Sequence, residues 1–278
     1  MPRMTEASDW SRAADPARRV GHAVEFHAEI GSTNDRAREA LGEPGGEGLA
    51  IVADLQTAGR GRRGRTWISP PGVNLLCSVA VRPRIAPELT GLLGIAAALA
   101  VRDACDAFVP AAGLAIRWPN DVIAADGRKV AGVLVETALE GGQLAEAVIG
   151  MGINVNSDAS ALPAEVAATA ASLRALGGVP ADRVSLLGRV LSAVDAELRA
   201  LEDGEAPLRR LRASSWLDGR EVTVDTGSGT ITGCVAGIGD DGSLLLDAAM
   251  GRLAISVGEV VRVNEADATH RAMAAVGE

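Results

Sequence analysis

The chain has 278 residues, 47% of them hydrophobic, enough for one large domain and a small one, each burying its own core. Its 36 acidic residues outnumber 27 basic ones for a net charge of −9, and four Trp and two Phe are the only aromatics, so neither a phosphate-binding surface nor a base-stacking platform is expected. Cys77, Cys105 and Cys234 lie far apart without a C-x-x-C pair, which argues against a disulfide framework or a zinc site.

Residues 1 to about 22 are polar and irregular, predicting a flexible N-terminal segment without a secretion signal's apolar core. AVEFHAEI, from Ala23, reads as a strand. Ser32-Thr33-Asn34-Asp35 then reads as an N-cap with an acid three residues on, opening a short helix to Leu41 that Gly42 ends. Strands are predicted over 49–55, 73–81, 114–118, 129–137 and 147–155, punctuated by Gly and Pro clusters. An Ala/Leu-rich helix is predicted over 87–108. Its most apolar run, 92–101, has about half the roughly 20 residues a membrane span needs. Leu187, Leu191, Val194, Leu198 and Leu201 recur at three- and four-residue steps and predict one amphipathic helix over 182–211. After Trp216, short strands separated by Asp-Gly and Gly-Ser-Gly turns predict a small antiparallel barrel. The expected architecture is α+β: a segment 1–22, a mixed-sheet domain 23–213, a small β domain 214–265 and a tail 266–278.

Four segments can carry chemistry. Gln56-Thr57-Ala58-Gly59-Arg60-Gly61-Arg62-Arg63-Gly64-Arg65-Thr66-Trp67 concentrates cations and glycines in an acidic protein. Glycines let backbone N–H groups approach an anion, and guanidinium forks match phosphate or carboxylate oxygens. Gly59-x-Gly61-x-x-Gly64 has the spacing of a dinucleotide fingerprint, but the helix that should follow is replaced by TWISPPG. A solvated basic loop or an RNA contact is the alternative. Arg117-Trp118-Pro119-Asn120-Asp121 follows a strand and leaves an amide and a carboxylate at its end for a base, a ribose or Mg²⁺. Gly127-Arg128-Lys129 begins an apolar strand with the only Lys of the chain; the other 26 basic residues are Arg. A compact ammonium does what a planar guanidinium cannot, so this exception marks a site. Gly150-Met151-Gly152-Ile153-Asn154 ends another strand with an amide able to read an adenine edge. No Ser-His-Asp or Cys-His arrangement and no dedicated metal site emerges.

In this order, STN, QTAGRGRRGRTW, RWPND, GRKVAGVLVE and IGMGINVN resemble bacterial biotin protein ligases, the biotin–acetyl-CoA-carboxylase ligases, over Ala23 to Asn264. The resemblance implies a catalytic domain related to lipoate ligases and class II synthetases and an SH3-like C-terminal domain; cytoplasmic localisation is expected from the lack of a signal core, a cysteine framework and a membrane-length apolar run. The implied reaction activates biotin with ATP and Mg²⁺ as biotinyl-5′-AMP and transfers it to a lysine of a biotin carboxyl carrier domain. By the same resemblance Ser32, Thr33, Asn34, Gln56, Gly59, Arg60, Gly61, Arg62 and Lys129 would hold biotin. Arg60, Arg62, Arg65, Trp67, Asn120, Asp121 and Asn154 would hold ATP, with Lys129 and Arg62 catalytic. Some members carry an N-terminal DNA-binding domain; the short unpatterned segment before the first strand leads us to expect no DNA partner here, and no membrane partner. A ligase for lipoate or another acyl acid and a non-enzymatic RNA-binding module are the competing readings.

Overall fold

A computed structural model describes residues 7–264. In chain order its main elements are α1 (Ala7–Trp10), β1 (Val24–Ile30), α2 (Thr33–Ala40), β2 (Ala50–Gln56), β3 (Leu75–Val81), α3 (Leu93–Asp106), β4 (Ala115–Arg117), β5 (Asp121–Ile123), β6 (Lys129–Glu140), β7 (Gln143–Ile153), α4 (Ala164–Ala167), α5 (Leu173–Gly177), α6 (Arg183–Glu202) and α7 (Leu208–Ala213), then β8 (Glu221–Asp225), β9 (Thr230–Ile238), β10 (Leu244–Ala248), β11 (Gly251–Ile255) and β12 (Glu259–Asn264).

The first seven strands form a mixed sheet in the order β1-β2-β3-β7-β6-β5-β4. Only β1 and β2 run parallel, with α2 as the crossover such a pair needs. Every residue of β3 is buried, because this strand is covered on both faces. On one face α3 and α6 pack together, α3 lying over β5 and β6. On the other, α2 covers β2, β3 and part of β7, burying Ala37, Ala40 and Leu41 against Ile51, Ala80 and Val148. The second sheet is antiparallel, in the order β11-β10-β9-β8-β12. Before it begins, the backbone of Ser214 and Trp216 pairs with Ile116 of β4, tying the second sheet to the edge of the first. No helix among the described residues is long and apolar enough to cross a membrane.

Two expectations are corrected. The helix expected over 182–211 is two: α6 stops at Glu202, Gly204 turns the chain with φ +83°, and Pro207 precedes α7. A left-handed backbone ends a helix, and apolar periodicity on either side of the break hid it. The N-terminal segment, in its described part, is not flexible chain. Trp10, Ala13 and Val20 are buried, Trp10 stacks on Phe26 at 5.9 Å, and the Arg183 guanidinium lies 5.1 Å from the Trp10 ring centre. The Val20 N–H donates to Asp195 Oδ1 at 2.9 Å, and Arg19 bridges Glu47 and Glu202. Three core residues in a polar stretch give no periodicity to read. Residues 1–6 and the tail expected over 266–278 lie outside the described residues.

Removing a buried Trp costs about 3–5 kcal/mol. Trp10→Ala should therefore lower the unfolding free energy in a urea titration by that amount. A loss below about 1 kcal/mol, the range of surface changes, would mean that this segment does not belong to the core.

Candidate active site

Residue alternation on the mixed sheet sets the floor of a cleft. Asp121, Gly132, Gly152 and Leu76 stand in one cross-strand row over β5, β6, β7 and β3, and Leu134, Gly150 and Ser78 in the next. The three glycines lower this floor. A Cβ at Gly150 would lie 2.2 Å from Asn34 Oδ1, one at Gly152 2.5 Å from the Trp67 ring and one at Gly132 2.8 Å from Lys129 Nζ. Asn34, Trp67 and Lys129 thus lie where any other residue would push them out. The cleft encloses about 930 Å³ of space between atoms, its open mouth included.

One end is a chain of polar side chains. The Thr33 N–H and hydroxyl donate to Gln56 Oε1 at 2.8 and 3.0 Å, and the Ser78 hydroxyl donates to Asn34 Oδ1 at 2.6 Å. The Thr33 and Ser78 oxygens stand 2.7 Å apart. Asn34 Nδ2 donates to Glu136 at 2.9 Å, which fixes the orientation of the amide, as the Thr33 N–H fixes that of Gln56. Two hydroxyl protons then serve three oxygen–oxygen contacts, so the chain is one donor short. A ligand N–H directed at Gln56 Oε1 would free the Thr33 proton for Ser78. Ser32 occupies the N-cap position of α2, but its hydroxyl makes no capping bond. Asp35 does not close a capping box either; it pairs with Arg60 at 2.6 Å, which holds its carboxyl below the ordinary range.

Five cations also line the cleft: Arg60 beside the polar chain, and Arg62, Arg65, Arg117 and Lys129 away from it. Four meet carboxylates. Arg60 binds Asp35 and approaches Glu136 at 3.7 Å, Arg65 pairs with Glu259, and Arg117 and Lys129 clamp Asp121 at 2.7 and 2.6 Å. Burial pushes the Asp121 carboxyl up, but the Lys129 and Arg117 charges outweigh it and hold the group below its usual value. Among the described residues Arg62 forms no ion pair. It donates to Asn120 Oδ1 at 3.2 Å and to the Gly258 carbonyl at 2.9 Å, both neutral, and burial draws its pKa below the ordinary guanidinium value. A half-buried cation with only neutral acceptors is a ready site for an anion. Lys129 Nζ also lies 5.5 Å from the Trp67 ring centre, within cation–π reach.

The structure brings Ser32, Thr33, Asn34, Gln56, Arg60, Gly61, Arg62, Arg65, Trp67, Asn120, Asp121 and Lys129 to this cleft. Gly59 and Asn154 are not on its wall. Gly59 is buried and its carbonyl accepts from the Trp67 N–H at 3.0 Å, bracing the loop from behind. Asn154 Nδ2 donates to the Lys129 carbonyl at 3.2 Å and so sets the Lys129 backbone. Asn120 and Asp121, expected at a free strand end, belong to a hairpin: residues 118–120 form the turn between β4 and β5, and Asp121 opens β5. Sequence reasoning missed Ser78, hidden in the apolar run LLCSVAV, and Gly132. It also missed Glu259 and Val260, which line the cleft from the distant second sheet. Burial pushes the Cys77 and Cys105 thiols up to about 12, so neither is a ready nucleophile.

Two family models match the chain: the biotin/lipoate A/B protein ligase family over residues 29–154 and the biotin protein ligase C-terminal domain over 219–263. The biotin–[acetyl-CoA-carboxylase] ligase of Paracoccus denitrificans is 36% identical over 244 residues, 84% of this chain and 98% of that one. That of Mycobacterium tuberculosis is 35% identical over 242 residues, 85% and 87% of the two chains. Among solved structures, the biotin protein ligase of Aquifex aeolicus in complex with biotin and ATP superposes with a TM-score of 0.75 at 30% identity, covering 87% of this chain and 99% of that one. The two models fall on the cleft-bearing sheet and on the second sheet, the relatives span both, and the chain belongs to the biotin protein ligase family.

Proposed function

We propose that the chain is an ATP-dependent ligase that converts biotin to biotinyl-5′-AMP and transfers the biotinyl group to a lysine of a biotin carboxyl carrier domain in the cytoplasm. Residues 23–213 would form the catalytic domain and 214–265 the C-terminal one. The observation that carries the reading is the polarity of a single cleft: a donor-short cluster at one end suits a ring bearing N–H groups, and a group of cations that includes Arg62 suits carboxylate and phosphate at the other.

The reaction brings two anions together. A carboxylate oxygen of biotin attacks the α-phosphorus, the bond to the β-phosphate oxygen breaks, and pyrophosphate leaves. Lys129 and Arg62 would hold both anions in line and offset charge growing on the α-phosphate oxygens. In the second step the carrier lysine amine attacks the acyl carbonyl, losing a proton as AMP departs, so this chain supplies no covalent nucleophile. Among the described residues no group of three His, Cys, Asp or Glu could hold a metal ion, and both cleft carboxylates Asp121 and Glu259 are committed to cations. A Mg²⁺ ion would arrive on the triphosphate oxygens, where it needs at most one or two carboxylates beside them.

Incubated with ATP, Mg²⁺ and a biotin carrier domain, the protein should release pyrophosphate only when biotin is added, and the carrier should gain the mass of one biotinyl group. Stimulation by lipoate in place of biotin would overturn the substrate assignment. Lys129→Arg should slow single-turnover adenylate formation about a hundredfold or more, the cost of losing one transition-state contact of about 3–4 kcal/mol, because a wide planar fork demands a different spacing between the biotin carboxylate and the α-phosphate than a compact ammonium does. Near wild-type rates in the folded variant would remove Lys129 from the reaction. Arg62→Gly takes away the cation bridging Asn120 and Gly258, so adenylate should leave faster and label lysines of bystander proteins. Unchanged bystander labelling would exclude Arg62 from retention.

A further inference from the structure

Arg63 stands apart from its neighbours in the loop. Arg60, Arg62 and Arg65 line the cleft, and Arg63 does not. Among the described residues it is the only non-glycine with a left-handed backbone, at φ 54° and ψ 39°. Such a conformation costs free energy for a residue with a Cβ and persists where surroundings hold it. Here the hold comes from the second sheet. The Arg63 guanidinium pairs with the Asp225 carboxylate, and its Nη2 donates to the Asp225 carbonyl at 3.0 Å. Asp225 closes β8, and its Oδ1 also accepts from the Gly227 N–H at 2.7 Å, fixing the β8–β9 turn.

The partner strand repeats the pattern. Glu259, the first residue of β12, stands directly opposite Asp225 in the antiparallel register and pairs with Arg65. Like charges directly opposite on paired strands repel, so this end of the second sheet needs cations brought to it. Arg63 and Arg65 supply them, and Arg62, which precedes them in the chain, donates to the Gly258 carbonyl. Three arginines of one loop therefore grip the ends of two paired strands.

We propose that Asp225 and Glu259 form a two-carboxylate receptacle on the second sheet that holds the 60–66 loop over the cleft through Arg63 and Arg65. Arg63 and Asp225 are then positioning residues: they touch no substrate and act by fixing where Arg62 sits. The consequence for the reaction rests on the ligase reading above; the loop contact itself does not.

The test separates the two. Hydrogen–deuterium exchange of the ligand-free full-length protein reads the amides of residues 61–67 in wild type, Asp225→Asn, Arg63→Asp and the double exchange Arg63→Asp with Asp225→Arg. Asn keeps an acceptor for the Gly227 N–H, and Asp tolerates a left-handed backbone, so the turn and the loop backbone remain available. For a partly exposed ion pair the expected rise in exchange is roughly twofold to fivefold in Asp225→Asn. It should be larger in Arg63→Asp, where a third carboxylate joins the pair, and the double exchange should return protection toward wild type while amides of β3 and β7 stay unchanged. Release of biotinyl-adenylate after single-turnover synthesis should rise in parallel. Equal loop exchange in wild type and Asp225→Asn, or a double variant no better than Arg63→Asp, overturns the receptacle. Faster exchange with unchanged adenylate release overturns the positioning role. A wild-type protein that makes no adenylate overturns the ligase reading and the positioning role with it, while the exchange series still decides the contact.

Discussion

Concentrating cations in a chain of net charge −9 sets a constraint that shapes the rest of the molecule. Guanidinium and ammonium groups withdrawn from water must be met by opposite charge, or the site becomes unstable before any ligand arrives. The molecule meets this with carboxylates from well-separated parts of the chain: Asp35 at the start of α2, Asp121 on β5, Glu136 on β6 and Glu259 on β12. Each holds a cation in place before a ligand arrives, and Asp121, paired with both Arg117 and Lys129, keeps one partner if Lys129 turns to a ligand oxygen. Arg62 alone among the five cleft cations rests on neutral acceptors, which makes it the natural first seat of an incoming anion.

The sheet supplies the complementary constraint, which is depth. A polar cluster and a cation cluster are useful to one ligand only if its body can lie between them, and a pleated sheet surface is ordinarily filled by its own side chains. Glycine at 132, 150 and 152, aligned by register on β6 and β7, removes those side chains in two adjacent rows. Trp67 then packs onto the floor at Gly152, which couples the position of the loop before it to the sheet beneath it. The second sheet completes the enclosure from outside through Glu259 and Val260. Domain arrangement, loop position and cleft shape are consequences of the same few contacts.

What could be read in the sequence was what chemistry writes locally. The pair Ser32-Thr33, the Arg/Gly run and the solitary Lys129 announce themselves by residue type, and all reach one cleft. The mixed sheet and the small β unit were legible from strand runs and turn signals for the same reason. What escaped depends on contacts distant in sequence. Ser78 reads as one polar residue within a buried strand, and only register places it beside Thr33. Gly132 looks like any strand glycine until Lys129 folds over it. Asp225 and Glu259 look like ordinary strand-end acids, and nothing local ties them to arginines some 160 to 195 positions earlier. Trp10 was lost in a polar stretch because one large buried side chain leaves no period.

The exchange of internal carboxylates for ligand oxygens is tested most directly by a crystal structure of the chain with biotinyl-5′-AMP bound. Lys129 Nζ, now 2.6 Å from Asp121 Oδ1, should there lie within hydrogen-bond distance of an oxygen of the acyl-phosphate linkage, with the Arg62 guanidinium also on the phosphate. A complex in which Lys129 stays on Asp121 and Arg62 on Asn120 and Gly258, with the phosphate bound elsewhere, would contradict it.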